Sequence, residues 1–212
     1  MPRIALLILL PAAMTGFPAC AATLHLAVYD SAGRPAPNAV VTLTPLAGSA
    51  SAPHLPVEAI IDQRKETFIP LVTIIRRGGH ALFTNNDTTR HQVYSFSPIK
   101  QFEFEVDEGR RSEPVVFDKA GVASIGCNIH DQMIAYVYVA DAPWAVLTNE
   151  NGRAEAPELP TGDYRAVVWH PQLPLDRPPP ATTVTVKGSS DLSLALPLAI
   201  IPSSRHLHMG IY

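Results

Sequence analysis

Cysteine is almost missing from this chain of 212 residues: there are two, Cys20 and Cys127, which excludes a disulfide-stapled scaffold. Charge is sparse as well. Sixteen Lys and Arg stand against 19 Asp and Glu, a formal net charge of −3, and no basic run exceeds two residues. Nothing neutralises a phosphate backbone, which argues against a nucleic-acid partner. No segment of eleven residues carries helical periodicity, and after the first residues no stretch approaches the ~18 consecutive apolar residues of a membrane span. There is no C-x-x-C-H for haem attachment. No Ser-His-Asp set, paired catalytic carboxylates or glycine-rich phosphate loop stands out either, so the chain does not read as an enzyme. What it has in excess is proline, 21 residues, roughly twice average usage. Proline is tolerated in loops and strand edges but not in helix interiors. With 47% apolar residues the chain can bury a real core, and an all-β fold is the expectation.

Residues 1–22 place Arg3 before the apolar run Ile4 to Leu10 and end in small residues around Ala19, Cys20, Ala21 and Ala22, the pattern of a secretory signal peptide. Cleavage after Ala21 or Ala22 discards Cys20. A lipid anchor at Cys20 competes, because Cys20 follows the small residue Ala19, but Phe17-Pro18 matches such a site poorly. The mature protein is expected in the periplasm with Cys127 as its single thiol. In an oxidising compartment a lone thiol is a reactive group, an intermolecular partner or a metal ligand.

Alternating apolar and polar residues predict strands over 24–28 and 39–44, paired as a hairpin across the turn at 30–33, and a connector rich in small residues and proline follows at 45–57. A second series of strands is expected at 68–75, 81–85, 101–106, 114–117, 122–126 and 134–140. A third follows Pro143, at 145–148, 165–170, 182–186 and 192–196. The segment LHLAVYDSAGRPAPNAVVTLTP resembles the first half of a carboxypeptidase-regulatory-like, or transthyretin-like, β-sandwich of Ig-like architecture. AVLTNENGRAEAPELPTGDYRAVVWHP resembles its second half, through Thr148, Gly152, Leu159, Pro160, Gly162 and Tyr164. The expected organisation is a signal peptide at 1–22, a discontinuous sandwich from 23–56 plus 142–200, an inserted domain at 57–141, and a tail at 201–212. Two sandwiches in series are the other arrangement.

The chemistry concentrates in Gly-Cys127-Asn-Ile-His130-Asp-Gln-Met133, between two apolar strands. Thirty-six residues before Cys127 lies His91, in a loop that leaves the strand at 81–85. One thiolate, two imidazoles and one thioether form the ligand list of a blue-copper site with a trigonal Cys-His-His plane and a weak axial Met. Cys-His-His is also a zinc set, but a structural zinc site wants a fourth hard or thiolate ligand, and only Met is at hand.

Here the sequence resembles the cupredoxins, most closely the amicyanin and plastocyanin-like group, over roughly residues 66–140. RHQVYSFS and GCNIHDQMIAYVYV are similar to periplasmic proteins of the methylamine-utilisation or plastocyanin-like type. The resemblance implies a Greek-key β-sandwich and one type 1 copper ion cycling between Cu(I) and Cu(II). It implies His91, Cys127, His130 and Met133 as ligands, with His130 as the electron port beside Ile129 and Ile134. It also implies a redox partner such as a c-type cytochrome or a periplasmic dehydrogenase. Two positions depart from the family pattern. Gln92 replaces an Asn that braces the cysteine loop, and Asp131 replaces a proline, setting a carboxylate beside the port. The rival functions are a copper carrier or chaperone without redox work, and a cell-envelope binding module with a vestigial site.

Among the remaining polar residues, His170 reads as a strand-end residue and His206, His208 and Met209 as a frayed tail. Glu103, Glu105, Asp107 and Glu108 read as a solvated strand face, with Phe102 and Phe104 on the buried one. The tract 171–180 reads as a long exposed loop.

Overall fold

The computed structural model describes residues 22–48, 55–174 and 177–201. The expected signal segment up to Ala21, with Cys20, and the tail carrying His206, His208 and Met209 lie outside the described residues. Within them the protein is all β, and no helix is long and apolar enough to cross a membrane. The strands from the ends of the chain are β1 (Ala22–Tyr29) and β2 (Val40–Pro45), then β12 (Trp144–Leu147), β13 (Arg153–Leu159), β14 (Gly162–Trp169), β15 (Ala181–Val186) and β16 (Ser190–Ala195). Those from the middle are β3 (Glu58–Gln63), β4 (Phe68–Ile69), β5 (Val72–Arg76), β6 (Gly79–Asn85), β7 (His91–Ser97), β8 (Lys100–Val106), β9 (Val115–Phe117), β10 (Gly121–Cys127) and β11 (Ile134–Ala140).

The end strands build two sheets, β13-β1-β16 and β12-β2-β14-β15, and the middle strands build two more, β4-β3-β6-β9 and β5-β11-β10-β7-β8. No sheet mixes the two sets. Each pair of sheets closes on an apolar core, and the first core also takes in Val72 of β5. Leu24, Leu26 and Val28 of β1 meet Val41, Leu43, Tyr164 and Ala166 in one. Ile61, Phe83 and Phe117 meet Val93, Ile125, Val137 and Val139 in the other. Period-two burial along β1 and β10 is what one-sided sheets require. In β2, by contrast, Val40 to Leu43 are buried without alternation. One face of β2 belongs to the first core, while Thr42 on the other face hydrogen-bonds Tyr138 of β11. Trp169 seals that junction, with its ring 5.6 Å from both Tyr136 and Tyr138.

The resemblance pattern at 148–164 has a mechanical basis. The Thr148 hydroxyl is buried, donates to Ala36 O (2.7 Å) and accepts from Ala39 N–H (2.9 Å). Gly152 holds φ +67°, and a Cβ there would sit 2.6 Å from Val28 O. The Tyr164 hydroxyl donates to Pro160 O at 2.7 Å. Where the chain enters and leaves the middle set, adjacent residues receive it: Arg76 N–H donates to Pro56 O (2.9 Å) and Arg77 N–H to Ala140 O (3.0 Å).

Several expectations need correction. The first two strands do not form a hairpin, because β1 pairs with β13 and β16 while β2 pairs with β12 and β14. The strand expected over 68–75 is two strands in different sheets, β4 and β5, with Pro70 and Leu71 between them, where proline's missing N–H interrupts the ladder. Strands β3, β7 and β13 were not foreseen, so His91 opens a strand and does not sit in a loop. The tract at 171–180 is not uniformly exposed, since Leu173 is buried and its N–H donates to His170 O. The acidic face of β8 is exposed as expected, with Phe102 and Phe104 packed on the core.

Candidate metal centre

Strand β6 ends at Asn85, a buried residue whose Nδ2 donates to Thr89 O and Val106 O, both at 2.8 Å. Its Oδ1 accepts from Asp87 N–H at 2.9 Å, a local side-chain turn that aims the Asp87 carboxylate inward. Four residues on, His91 begins β7 with a fully buried ring. Its Nε2 lies 2.9 Å from Asp87 Oδ2, so Nε2 carries the proton and Nδ1 presents a lone pair. That Nδ1 lies 3.5 Å from Cys127 Sγ.

Cys127 is the last residue of β10, opposite Val93 of β7, and is 2% exposed. Just before it stands Gly126, over which the Tyr94 ring lies so closely that a Cβ would come 2.5 Å from it. The turn from β10 to β11 then carries His130 back toward the pair. The His91 and His130 rings have centroids 5.1 Å apart at 57°. His130 Nδ1 is buried and has no hydrogen-bond partner, whereas its Nε2 faces Glu66 Oε1 at 3.4 Å. Ligand atoms of His91, Cys127 and His130 all lie within 4.8 Å of one another.

The donor set tests well for a metal. With bond lengths of about 2.05 Å to nitrogen and 2.3 Å to sulfur, a trigonal site puts N and S about 3.8 Å apart, within a few tenths of the His91 to Cys127 separation. An orphaned buried imidazole nitrogen is a cost in a protein interior unless something coordinates it. One thiolate and two imidazoles suit copper or zinc, and among the described residues no carboxylate joins the cluster.

The loop is braced from β7. Asn128 N–H donates to Gln92 O (3.0 Å), and Asn128 Nδ2 donates to Gln92 Oε1 (2.9 Å). Gln92 therefore supplies the side-chain brace itself, and is held in turn by its Nε2 donating to Glu103 Oε1 (2.6 Å). Met133 N–H donates to His130 O (3.0 Å), and the Met133 side chain is buried in the core cluster that contains Cys127. Ile129 is 49% exposed beside His130, and Asp131 is also exposed.

Sequence reasoning missed two carboxylates. Asp87 accepts N–H groups from Lys65 and Glu66 as well as the His91 ring. Burial alone would raise its pKa, but these donors outweigh burial and hold it below the ordinary value. The spacing Asp87 to His91 and the Asn85-Asn86-Asp87 turn were the available signals. Glu66 arrives from the β3–β4 hairpin, and nothing local to the motif points to it. His170 is structural, with Nε2 donating to Pro37 O (3.1 Å) and Nδ1 accepting from Gln172 N–H (3.2 Å).

No protein-family model matches the chain, and no curated protein matches it. Among solved structures it is similar to a purple cupredoxin from Nitrosopumilus maritimus, at 24% identity and TM-score 0.36, over 39% of this chain and 99% of that one. It is similar to amicyanin from Paracoccus versutus at 18% identity and TM-score 0.36, over 47% of this chain and 98% of that one. A copper-containing nitrite reductase from Thermus scotoductus matches at 24% identity and TM-score 0.37, over 46% of this chain and 25% of its own length. Each of these matches covers less than half of this chain.

Proposed function

We propose that the protein is an exported type 1 copper protein, not an enzyme, that carries single electrons between periplasmic redox partners. The observation that supports this most is that ligand atoms of His91, Cys127 and His130 lie within 4.8 Å of one another, with the Nε2 of each imidazole facing a carboxylate. His91, Cys127 and His130 would hold the ion, with Met133 as a weak fourth donor. Copper bound there supplies a reversible one-electron couple. The chain's own part is to hold the donors still: β7 and β10 fix His91 and Cys127 in paired strands, while Gln92 and the Met133 to His130 hydrogen bond restrain the loop. A centre that needs little rearrangement suits electron transfer better than handing over the ion.

In this reading residues 57–141 are a cupredoxin domain inserted into a transthyretin-like sandwich formed by 23–56 and 142–200. Its partner is a c-type cytochrome or a periplasmic dehydrogenase, approached through the exposed edge around His130 and Ile129.

The test is to add Cu(II) to the purified mature protein and record its visible spectrum. An intense thiolate-to-copper band that is lost in Cys127→Ser is expected. A protein that stays colourless refutes the reading.

A further inference from the structure

The hairpin turn at Lys65-Glu66 lies outside the Cys-His-His set, yet it is linked to both of its imidazoles, to His130 directly and to His91 through Asp87. Strands β3 and β4 are joined by a two-residue loop, closed by Arg64 N–H to Thr67 O (3.0 Å) and Thr67 N–H to Arg64 O (3.2 Å). Lys65 and Glu66 have φ of 51° and 52°, the left-handed region that L side chains avoid. Loops of this type ordinarily carry Asn-Gly. Such backbone persists only where its surroundings over-determine it, and here the Asp87 carboxylate accepts both turn N–H groups.

We infer that this turn is a strap that positions both metal-binding imidazoles, with Asp87 fastening it beside His91 and Glu66 reaching from it to His130. The inference rests on the copper reading above. Asp87 binds the turn and the His91 Nε2 through the same carboxylate, so turn and ring are fixed together. Glu66 sends Oε1 to His130 Nε2 (3.4 Å) and accepts from Gln132 Nε2 on Oε2 (3.1 Å), which ties the far side of the cysteine loop to the same turn. A glycine at 66 would relax the backbone but would carry no carboxylate to His130. The residue present is therefore the one that positions the ring and not the one the turn prefers.

Two consequences follow for the two rings. A carboxylate on Nε2 selects the tautomer whose Nδ1 lone pair faces the site. It also makes each ring a stronger donor, which favours the more highly charged oxidation state, Cu(II) over Cu(I).

The test uses the full mature chain and the variants Glu66→Gly, Glu66→Gln and Asp87→Asn. In metal-free protein above pH 8, ring-nitrogen NMR should show His130 as a single Nε2–H tautomer, and a mixture in Glu66→Gly. Glu66→Gly should unfold at no lower urea concentration than the parent, yet bind Cu(II) about tenfold or more weakly, in the range seen when groups supporting metal ligands are removed. Glu66→Gln keeps a hydrogen-bond acceptor and should restore the tautomer but not the Cu(II) preference. Asp87→Asn should lower Cu(II) affinity more than Cu(I) affinity, and each tenfold change in that ratio raises the potential by about 59 mV. An unchanged tautomer and an unchanged affinity ratio in Glu66→Gly overturn the inference, as does a Glu66→Gly protein that is simply less stable. If the parent takes up no copper but Glu66→Gly still scrambles the His130 tautomer, the copper reading fails and the strap stands. If the parent turns blue and no variant moves tautomer or ratio, the reverse holds.

Discussion

Thr148→Val removes one hydroxyl and should cost the first sandwich a large share of its stability. The hydroxyl bridges Ala36 O (2.7 Å) and Ala39 N–H (2.9 Å), both on fully buried residues. Valine fits the volume but pairs with neither group. Each orphaned buried backbone group costs about 1–3 kcal/mol, and the added methyl returns about 0.8 kcal/mol. A net loss of about 3 kcal/mol results, against the 5–15 kcal/mol typical of a domain. With a urea slope of about 2 kcal/mol/M, the midpoint should fall by about 1.5 M. The chain provides its own probe. Both tryptophans, Trp144 and Trp169, lie in strands of the first sandwich, β12 and β14, so intrinsic fluorescence follows that unit. Thr148→Ser, which keeps the bridge, should fall by well under half as much. Equal midpoints for Thr148→Val and the parent, or equal losses for the two variants, would refute the argument that the buried bridge carries the effect.

Met133→Leu conserves volume, so stability should drop by no more than about 1 kcal/mol. The copper band should remain while the potential rises, because a weak donor to Cu(II) is gone; voltammetry with no shift would make Met133 a core residue only. Gln92→Ala removes the side-chain brace to Asn128 at a cost of about 1 kcal/mol. It should release copper to a competing chelator faster without changing the band position, as stopped-flow transfer would show. His170 provides a pH dependence. Burial pushes its pKa below the ordinary 6.5, with the Pro37 carbonyl pulling back only in part. The unfolded chain then binds more protons below that value, so the stability His170 contributes is complete above pH 6.5 and lost as the pH falls from there toward its folded pKa. Urea titrations followed by tryptophan fluorescence at pH 7.5 and 5.5 should show a smaller loss in His170→Gln than in the parent.

The coincidence of a Cys, a His three later and a second His upstream was legible because so few residues of these types compete for attention. What brings them together was less so. His91 could be assigned a role but not its strand, since HQVYSFS turns His91, Val93 and Ser95 to the buried face and Gln92, Tyr94 and Phe96 to the outer one, against the usual apolar-in pattern. Strand β13 was hidden by Pro157 and by its edge position. The pairing of β1 with β13 and β16 joins segments more than a hundred residues apart, which no local pattern records. Glu66 was invisible for a different reason. Its turn lacks the Asn-Gly signature, and its partners are set by where β3 and β4 lie, not by the motif they serve. Gln92 looked like a departure from a brace and turned out to supply one.

The meeting of Pro56 and Ala140 on the neighbouring residues Arg76 and Arg77 bears on the order in which the chain can fold. Strand β1 leaves any ribosome long before the β13 it needs, and closing so long a loop is entropically costly and slow. Once the middle strands have formed, their entry and exit points are held one residue apart, and the loop that β1 must close is shorter by the whole length between them. The half built from the middle strands would thus act as a template for the other half. Refolding followed by tryptophan fluorescence should lag the appearance of copper-binding competence, never precede it.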